Sequence, residues 1–511
     1  MYSHKNALRA LLLLAVILTA PRHAPAQQET DEKLNVIVIL ADDISASEFG
    51  CYGGECETPN IDQLASSGIR FVNAFGSPMC VPSRAMLLTG LHPDKTGVFH
   101  NSLRPLRRDK DPRANWGQSF DLFPEVFQRN GYRTLITGKW QMAGTYPKLG
   151  FDYGFDEYCL HHEWRRPSDW NQPGPKFARY DGLIADKRDL FPGRTSGYWH
   201  PSIAINGFLM KTDEKDFGPD IYNDYLLQYI ERNQDRPFLV YYPMMLAHSV
   251  TDFHSEKREN KDQRFGQMLP NCPKIVNGKP TSEREPDSVE GNLRYVDYLV
   301  GRVMKKLKAL QMDQRTLIVF ASDNATIGKG KGQPQPRGSH IPLIAACPGK
   351  IPAGRVSDEL VSLVDIHSTV THFTNVEKNP SSESDGLDLS GYMRGETDSI
   401  DRKFAFGFLA DESWVRDKKY LLKSSGEFYE VGDVEDNNTK RMREIEISDA
   451  SSLERNHFEK LTVQLQESPR FKDVNSPVFI RYRDQRKQLQ RNYLNTPVEN
   501  RRKFVKKLSA K

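Results

Sequence analysis

The sequence has few cysteines, few aromatic residues and, after its first 26 residues, no long apolar segment. Six cysteines in 511 residues are too few and too irregularly spaced for a disulfide framework or a zinc module, although Cys51 and Cys56 could form one local disulfide. With 10% aromatic, 38% hydrophobic and 27% charged residues, the composition is that of an ordinary globular protein. Low-complexity, collagen-like and disulfide-rich classes are therefore excluded, and the length indicates more than one domain.

The first 26 residues have the features of a secretory signal peptide. Lys5 and Arg9 precede an apolar run of eleven residues, and Ala24-Pro25-Ala26 forms a small-x-small cleavage site. Eleven residues cannot span a bilayer, which needs about 20. We therefore expect a secreted or periplasmic protein that begins near Gln27 and has no membrane anchor.

The formal net charge of +4 is unevenly distributed. Residues 481–511 hold eleven Lys or Arg but only two acidic residues, Asp484 and Glu499. Such a run is usually a solvated helix face, and the alternative is a surface that contacts a polyanion. We expect no nucleic-acid partner.

Apolar runs typical of strands alternate with amphipathic helical patterns over residues 35–375, which predicts an α/β fold with a mostly parallel mixed sheet flanked by helices. Residues 161–217 and 251–288 are polar or rich in Pro, Gly and Trp, so we expect functional loops or disorder there. The predicted order is a signal peptide (1–26), a catalytic domain (27–375), a linker region (376–400) and a smaller C-terminal α+β domain (401–511) with a short antiparallel sheet and a basic helical tail.

Acidic residues follow two of the predicted strands. Asn35 to Leu40 leads into Asp42 and Asp43, and Thr316 to Ala321 leads into Asp323-Asn324. Open α/β sheets bind ligands beyond the carboxyl ends of their strands. One such pair alone would more often be helix-cap chemistry, but two pairs indicate oxygen ligation of a hard cation such as calcium or magnesium.

A cysteine begins the predicted helix that ends at Gly90, and Arg84 lies one turn into it. A helix N-terminus with a nearby guanidinium binds anions and lowers the pKa of a thiol placed there. Cys80 is therefore a candidate nucleophile acting on an anionic ester. The alternative for this segment alone is a buried structural cysteine.

From Asn35 to about Tyr429 the chain resembles the type I sulfatases, the formylglycine-dependent members of the alkaline phosphatase superfamily. Residues 80–90 match the family pattern C-x-P-S-R-x-x-x-x-T-G, which is highly specific. Other matching segments occur in the family's order: Asp42-Asp43, Gly50-Cys51-Tyr52-Gly53, Thr58-Pro59-Asn60-Ile61-Asp62, Gly138-Lys139-Trp140, the Tyr-x-Pro run that ends at His248, Ser322-Asp323-Asn324, and Gly330-Lys331-Gly332.

The resemblance implies that a formylglycine-generating maturation enzyme oxidises Cys80 during export. The hydrated aldehyde then offers two hydroxyls on one carbon, one to attack sulfur and the other to release the sulfate. The resemblance also implies a divalent cation, usually Ca²⁺ with Mg²⁺ as the alternative. Its expected ligands are Asp42, Asp43, Asp323 and Asn324.

Four further residues receive roles from the resemblance. Arg84 is expected to hold the hydrated aldehyde, and Lys139 and Lys331 are expected to bind the sulfate, since fixed cations stabilise charge during its transfer. His248 is the expected general acid, which protonates the departing alcohol.

The sequence departs from the family at two places. Gln141 stands where the family has a His that contacts the formylglycine hydroxyls, and Gln cannot accept a proton at neutral pH. Either another base such as His92 or His100 serves, or sulfate release is slow, or this is a degenerate member. Residues 336–340 also lack the usual Glu-Gly-Gly-x-Arg segment.

The leaving alcohol is poorly defined by the sequence, and a sulfated carbohydrate is the favoured substrate over an aryl sulfate. The candidate substrate-binding residues are Gln141, His100, His161, His162, Trp164 and Arg165. The alternative for the segment that holds His161, His162, Trp164 and Arg165 is a surface loop with solvated charges. Two rival functions stay open: a formylglycine-dependent phosphonate or phosphate esterase, and a non-catalytic relative that binds sulfated glycans.

Overall fold

The computed structural model describes residues 33–98, 101, 120–142, 150–162, 197–248, 270–409, 412–431 and 442–467. The predictions for the signal peptide and the basic tail lie outside these residues. The described residues from Leu34 onward belong to one compact unit. Within them, no helix combines the length and the apolar character needed to cross a membrane.

The described strands form three sheets. They are β1 (Asn35–Ala41), β2 (Ile69–Phe75), β3 (Arg133–Gly138), β4 (Glu157–His161), β5 (Ile203–Ile205), β6 (Phe208–Leu209), β7 (Phe238–Pro243), β8 (Pro273–Val276), β9 (Lys279–Arg284), β10 (Thr316–Ser322), β11 (His340–Ala346), β12 (Arg355–Ser362), β13 (Ala405–Leu409), β14 (Glu412–Arg416), β15 (Tyr420–Lys423), β16 (Phe428–Glu430) and β17 (Arg443–Glu444).

The described α-helices mostly connect these strands. They are α1 (Pro59–Ser66), α2 (Cys80–Thr89), α3 (Pro93–Thr96), α4 (Phe123–Arg129), α5 (Gly218–Arg232), α6 (Val289–Ala309), α7 (Pro336–Ser339), α8 (Val364–Phe373), α9 (Ser390–Arg394) and α10 (Ser452–Glu467).

The largest sheet has ten strands in the order β12-β2-β11-β10-β1-β7-β3-β4-β5-β6. Its centre, from β10 to β4, is parallel, whereas β11 and β5 each run antiparallel to their neighbours. A separate antiparallel sheet joins β13 to β17. The predicted fold class, a mostly parallel mixed sheet with a smaller antiparallel sheet after it, is confirmed.

Strand β1 is buried on both faces, as its continuous apolar sequence predicts. Val36 and Val38 face one hydrophobic core, which is shared with α2 and α8, and Ile37 and Ile39 face a second core, which is shared with α5 and α6. The helices therefore cover both sides of the sheet and keep its central strands in a fixed register.

The C-terminal sheet packs against an edge region of the large sheet. Trp414 and Leu421 share a core cluster with Phe75 of β2 and Leu360 of β12. On its other side, the sheet packs against Leu461 of α10. Part of the predicted linker region is the helix α9, which is packed into the main core, and the domain boundaries stay a prediction.

Two local expectations differ from the structure. Cys51 and Cys56 are free thiols, and the Cys56 sulfur lies 3.7 Å from the carbonyl oxygen of Glu290. The segments predicted to be irregular contain β5, β6 and the β8–β9 hairpin. Every residue of β9 is exposed, so it lacks the apolar alternation by which a strand is recognised.

Asp365, at the start of α8, joins three segments of the chain in the interior. It accepts hydrogen bonds from the backbone N–H of Ser362 at 2.7 Å and of Leu387 at 2.8 Å, and it pairs with Arg402. We expect Asp365→Ala to lower the free energy of unfolding by about 3–5 kcal/mol, because it leaves a buried charge and two buried donors without their acceptor. Urea denaturation measures this loss.

The matched control is Asp358→Ala, which removes an exposed carboxylate that pairs with Lys418 at 3.2 Å. Exposed pairs contribute about 0–1 kcal/mol, so this variant should unfold close to the parent midpoint. Equal losses for the two variants would contradict a central role for the Asp365 junction.

Candidate active site

The acidic residues meet because β1 and β10 are parallel neighbours with aligned ends. Ala41 pairs with Ser322, so Asp42 and Asp43 lie beside Asp323 and its neighbour Asn324. The Asp43 backbone N–H donates to Asp323 Oδ1 at 3.1 Å, and Asn324 Nδ2 donates to Asp43 Oδ1 at 2.7 Å. All four residues are buried.

Ser45 and Thr326 hold the two strand ends together, and we did not single them out from the sequence. The N–H of each residue donates to the hydroxyl of the other, both at 3.0 Å. Each lies three positions after the first acid of its strand end, and this symmetry is the signal that could have identified them. These two hydrogen bonds hold the strand ends, and with them the carboxylates, at a fixed spacing.

Cys80 is the first residue of α2, and its side chain lies at the carboxylate cluster. Its sulfur is 3.5 Å from Asp43 Oδ1, and the residue is fully buried. Burial raises the pKa of the Cys80 thiol well above its usual value, outweighing the charge of Lys331. The prediction that the helix N-terminus lowers this pKa was therefore wrong, because local helix geometry does not reveal complete burial or two nearby carboxylates.

Arg84 lies one turn further along α2, and its guanidinium contacts two carboxylates of the cluster. Its guanidinium donates to Asp323 Oδ2 at 2.8 Å and to the carbonyl oxygen of Lys139 at 3.1 Å. It also lies 3.7 Å from Asp42 Oδ2. The Arg84 side chain is entirely buried, so its charge is balanced by these carboxylates rather than by water.

Lys139, Lys331 and His248 line the same cluster from three different loops. Lys139 pairs with Asp42, and Lys331 pairs with Asp43. The imidazole of His248, which is 22% exposed, places Nε2 3.5 Å from Asp43 Oδ2. Three cationic side chains, counting Arg84, thus face three carboxylates.

The position of Lys139 depends on the glycine before it. Gly138 has φ of 117°, and a Cβ there would lie 2.1 Å from the carbonyl oxygen of Pro243. This close approach lets the Lys139 N–H donate to the same oxygen at 2.7 Å. Lys139 is thereby fixed between β3 and β7, facing the carboxylates.

The carboxylates differ in how readily they ionise. Burial opposes ionisation of Asp42, but the charges of Lys139, His248 and Arg84 prevail and hold its pKa well below the usual range. Burial and the charge of Asp42 instead raise the pKa of Asp323 to about 7. Such a crowded set of acids is stabilised by additional positive charge.

The donor set fits a hard divalent cation. Oxygen atoms of Asp42, Asp43 and Asp323, together with the Cys80 sulfur, lie within 4.8 Å of one another. Among the described residues, neither Asp42 Oδ1 nor Asn324 Oδ1 has a hydrogen-bond partner, although both atoms are buried. Unpaired buried oxygens of this kind are the ligands that Ca²⁺ and Mg²⁺ prefer.

Gln141 follows Lys139 by two positions in the segment after β3. Its φ of 55° is left-handed, which is uncommon for a residue with a side chain. Its Oε1 atom is buried without a hydrogen-bond partner in the described part of the chain. The Gln141 amide thus keeps an acceptor available two residues along the chain from Lys139.

Of the other predicted residues, His161 and His162 lie at the end of β4, His92 lies away from Cys80, and three fall outside the described residues. His161 lies at the end of β4, in contact with the segment at Gly197, and His162 is buried. His92 is beyond the far end of α2, about 15 Å of helix from Cys80. It is therefore not the replacement base, and burial lowers its pKa to about 4. His100, Trp164 and Arg165 lie outside the described residues.

Comparison with known proteins identifies the family to which this geometry belongs. The sulfatase family model matches residues 34–376, which is more than half of the chain. The chain belongs to the sulfatase family. The resemblance predicted from the sequence is thereby confirmed.

Curated relatives and solved structures extend this result. The canine N-acetylgalactosamine-6-sulfatase is 29% identical over 71% of this chain, which spans 66% of that protein's length. The sulfatase-family chain is also similar in fold to Ps i-CgsB in complex with a neocarrahexaose, with a TM-score of 0.63, 21% identity, and coverage of 87% of this chain and 94% of that one. A phosphonate monoester hydrolase of Agrobacterium radiobacter gives a TM-score of 0.54 at 18% identity, covering 85% and 96% of the two chains.

We expect calcium to raise the melting temperature of the protein and EDTA to reverse the rise, because a cation offsets the repulsion among the buried carboxylates. At about 100 times the dissociation constant, the stabilisation is about 2.7 kcal/mol. Asp323→Ala should abolish the calcium-dependent rise, as followed by differential scanning calorimetry, with calcium affinity measured by isothermal titration calorimetry.

Asp358→Ala, which removes an exposed carboxylate, is the control and should respond to calcium as the parent does. If Asp323→Ala bound calcium as tightly as the parent, the strand-end cluster would not be the metal site.

Proposed function

We propose that this protein hydrolyses sulfate esters, with sulfated carbohydrates as the substrate class. The observation that carries the proposal is the buried convergence of one convertible cysteine, oxygen ligands for a cation, and two lysines at one end of the sheet. The name of the canine relative, a sulfatase of a sulfated amino sugar, supports the carbohydrate. The proposed signal peptide supports export to a compartment where sulfated polysaccharides occur.

The proposed nucleophile derives from Cys80. A hydrated aldehyde at this position supplies two hydroxyls on one carbon, one able to attack sulfur and the other able to expel the sulfate. The unmodified thiol is poorly suited to the reaction, since burial keeps it protonated. We infer that a maturation enzyme performs the conversion.

Asp42, Asp43, Asp323 and Asn324 would hold the cation, for which we propose Ca²⁺. Bound there, it would supply positive charge to a sulfate oxygen and to the nucleophilic hydroxyl. Because Lys139 and Lys331 now pair with carboxylates of this set, neutralisation of those carboxylates leaves both ammonium groups available to an anion. The two lysines would then bind the sulfate.

Arg84 and His248 have the remaining proposed roles, which are to position residue 80 and to protonate the departing alcohol. Arg84 keeps α2 in place against Asp323, so that residue 80 stays at the cluster. The His248 side chain is partly exposed, and it is the proposed donor of a proton to the departing alcohol. His161, at the end of β4, is a proposed contact for the sugar, as are His162, His100, Trp164 and Arg165.

A phosphonate or phosphate esterase is the second candidate, because the phosphonate monoester hydrolase shares the fold. A single panel separates the two functions: sulfated polysaccharides and monosaccharides, 4-nitrophenyl sulfate, and phenyl phosphonate and phosphate esters. We expect sulfate, measured by ion chromatography, to be released far faster than any phosphorus-containing product. Faster hydrolysis of the phosphonate ester would reverse the assignment.

We expect Cys80→Ser to release no detectable sulfate while folding normally, because serine keeps the size of the side chain but cannot be converted in the same way. Sulfate release and the mass of the peptide that contains residue 80 are measured on the same samples. Cys347→Ser is the matched control, since Cys347 is also buried but follows β11, which is antiparallel to β10, and so lies at the opposite end of the strands from the carboxylate cluster. Residual activity above a few per cent in Cys80→Ser would mean that the nucleophile is misassigned.

Gln141 is the residue at which this chain lacks a proton acceptor that the family normally has. If sulfate release limits turnover, a chromogenic sulfate ester should give a burst of alcohol equal to the enzyme concentration. We expect Gln141→His to remove the burst and to raise steady-state turnover, since general-base catalysis contributes typically about 10²- to 10⁴-fold. Stopped-flow absorbance measures both quantities.

Gln141→Asn is the control, because it keeps an amide and should keep the burst. A parent enzyme without a burst, together with unchanged turnover in Gln141→His, would show that another group already serves as the base. A protein that binds sulfated glycans but releases no sulfate, even with residue 80 fully converted, would be a non-catalytic relative.

A further inference from the structure

The turn that carries His248 is attached to the carboxylate cluster on one side. After β7, the Asp42 N–H donates to the carbonyl oxygen of Leu246 at 2.8 Å, and the Ala247 N–H donates to the carbonyl oxygen of Asp42 at 2.7 Å. These bonds fix the middle of the turn. They do not involve His248 itself.

A single phenol attaches the two ends of the same turn. The hydroxyl of Tyr198 lies 2.9 Å from the carbonyl oxygen of Met245 and also contacts the carbonyl oxygen of His248. Met245 and His248 are themselves linked, since the His248 N–H donates to the Met245 carbonyl at 3.3 Å. Tyr198 therefore holds the backbone from which the His248 imidazole projects.

Tyr198 is itself rigidly placed. It is buried, and its carbonyl oxygen accepts a hydrogen bond from Gly218, the first residue of α5, at 2.7 Å. The next residue, Trp199, packs on Phe217 with ring centroids 4.6 Å apart and donates from Nε1 to the carbonyl oxygen of Pro270 at 2.9 Å. Tyr198 thus links the start of α5, through its backbone, to the His248 turn, through its hydroxyl.

We propose that Tyr198 is a positioning residue for the proton-donating His248. The inference rests on the proposed sulfatase function. A displacement of about 1 Å of a reacting group can cost about 10²-fold in rate, so a hydroxyl that fixes the backbone at His248 affects departure of the alcohol. It does not affect binding of the sulfate, which the lysines perform from other loops.

The deciding experiment is a double-mutant cycle with Tyr198→Phe, His248→Gln and the double variant. Each is assayed on the sulfate ester that the parent hydrolyses fastest and normalised to the converted fraction of residue 80. We expect Tyr198→Phe to lower the single-turnover rate of alcohol release, the step that precedes sulfate release, about 10- to 100-fold, with little change in the substrate concentration that gives half of that rate. The double variant should be no slower than His248→Gln, because Tyr198 acts through His248.

Leaving-group dependence provides the second readout. Phenyl sulfate needs protonation of its leaving oxygen more than 4-nitrophenyl sulfate does, so Tyr198→Phe should lower the single-turnover rate of alcohol release more on the phenyl ester than on the nitrophenyl ester. Tyr52→Phe is the matched control, since the Tyr52 hydroxyl is also buried between two backbone carbonyls, those of Phe71 at 3.1 Å and Leu343 at 3.0 Å. It should not change the ratio of the two rates.

If the rate losses of Tyr198→Phe and His248→Gln multiply in the double variant, the two residues act independently. That result would overturn this inference but leave the proposed function intact. So would an equal loss on both aryl esters, which indicates a general structural role. A parent enzyme that releases no sulfate from any ester of the panel would overturn the proposed function and this inference with it.

Discussion

The structure of the site depends on the mutual repulsion of three buried carboxylates. Asp42, Asp43 and Asp323 approach one another within a region that excludes water, and such an arrangement is stable only when positive charge surrounds it. The protein supplies that charge from three separate elements, as Arg84, Lys139 and Lys331. Strand register, the buried helix α2 and the close approach at Gly138 are the means by which these charges are brought together.

Much of this arrangement follows from sequence because buried parallel strands are easily recognised. The uninterrupted apolar run of β1 predicts burial on both faces, and the parallel register then places Asp42 beside Asp323. Sequence reasoning was less successful where burial, rather than pattern, decides the chemistry. Cys80 begins a helix beside Arg84, yet complete burial raises its pKa, and adjacency along the chain does not reveal this.

Residues that act through backbone contacts could not be predicted. The Tyr198 hydroxyl contacts the carbonyl oxygen of His248, which is 50 positions away in the sequence. In the sequence, Tyr198 looks like any other tyrosine that is buried in the core. His92 illustrates the opposite error, since it follows the signature segment closely but lies beyond the far end of α2. A helix separates its two ends in space by about 1.5 Å for every residue, so proximity in sequence does not bring His92 near residue 80.

The fold and the cluster do not by themselves decide which ester is cleaved. Sulfate monoesters and phosphonate monoesters each present a singly charged tetrahedral group, and paired lysines with a divalent cation can bind either one. Discrimination must therefore come from the leaving alcohol and from the groups that protonate and surround it. His248, whose imidazole is partly exposed and 3.5 Å from Asp43 Oδ2, is the residue proposed to protonate the alcohol, whereas Lys139 and Lys331 pair with the carboxylates. Under the proposed function, binding of the anion and protonation of the alcohol are assigned to different loops, so the substrate alcohol can change while the buried carboxylate cluster stays the same.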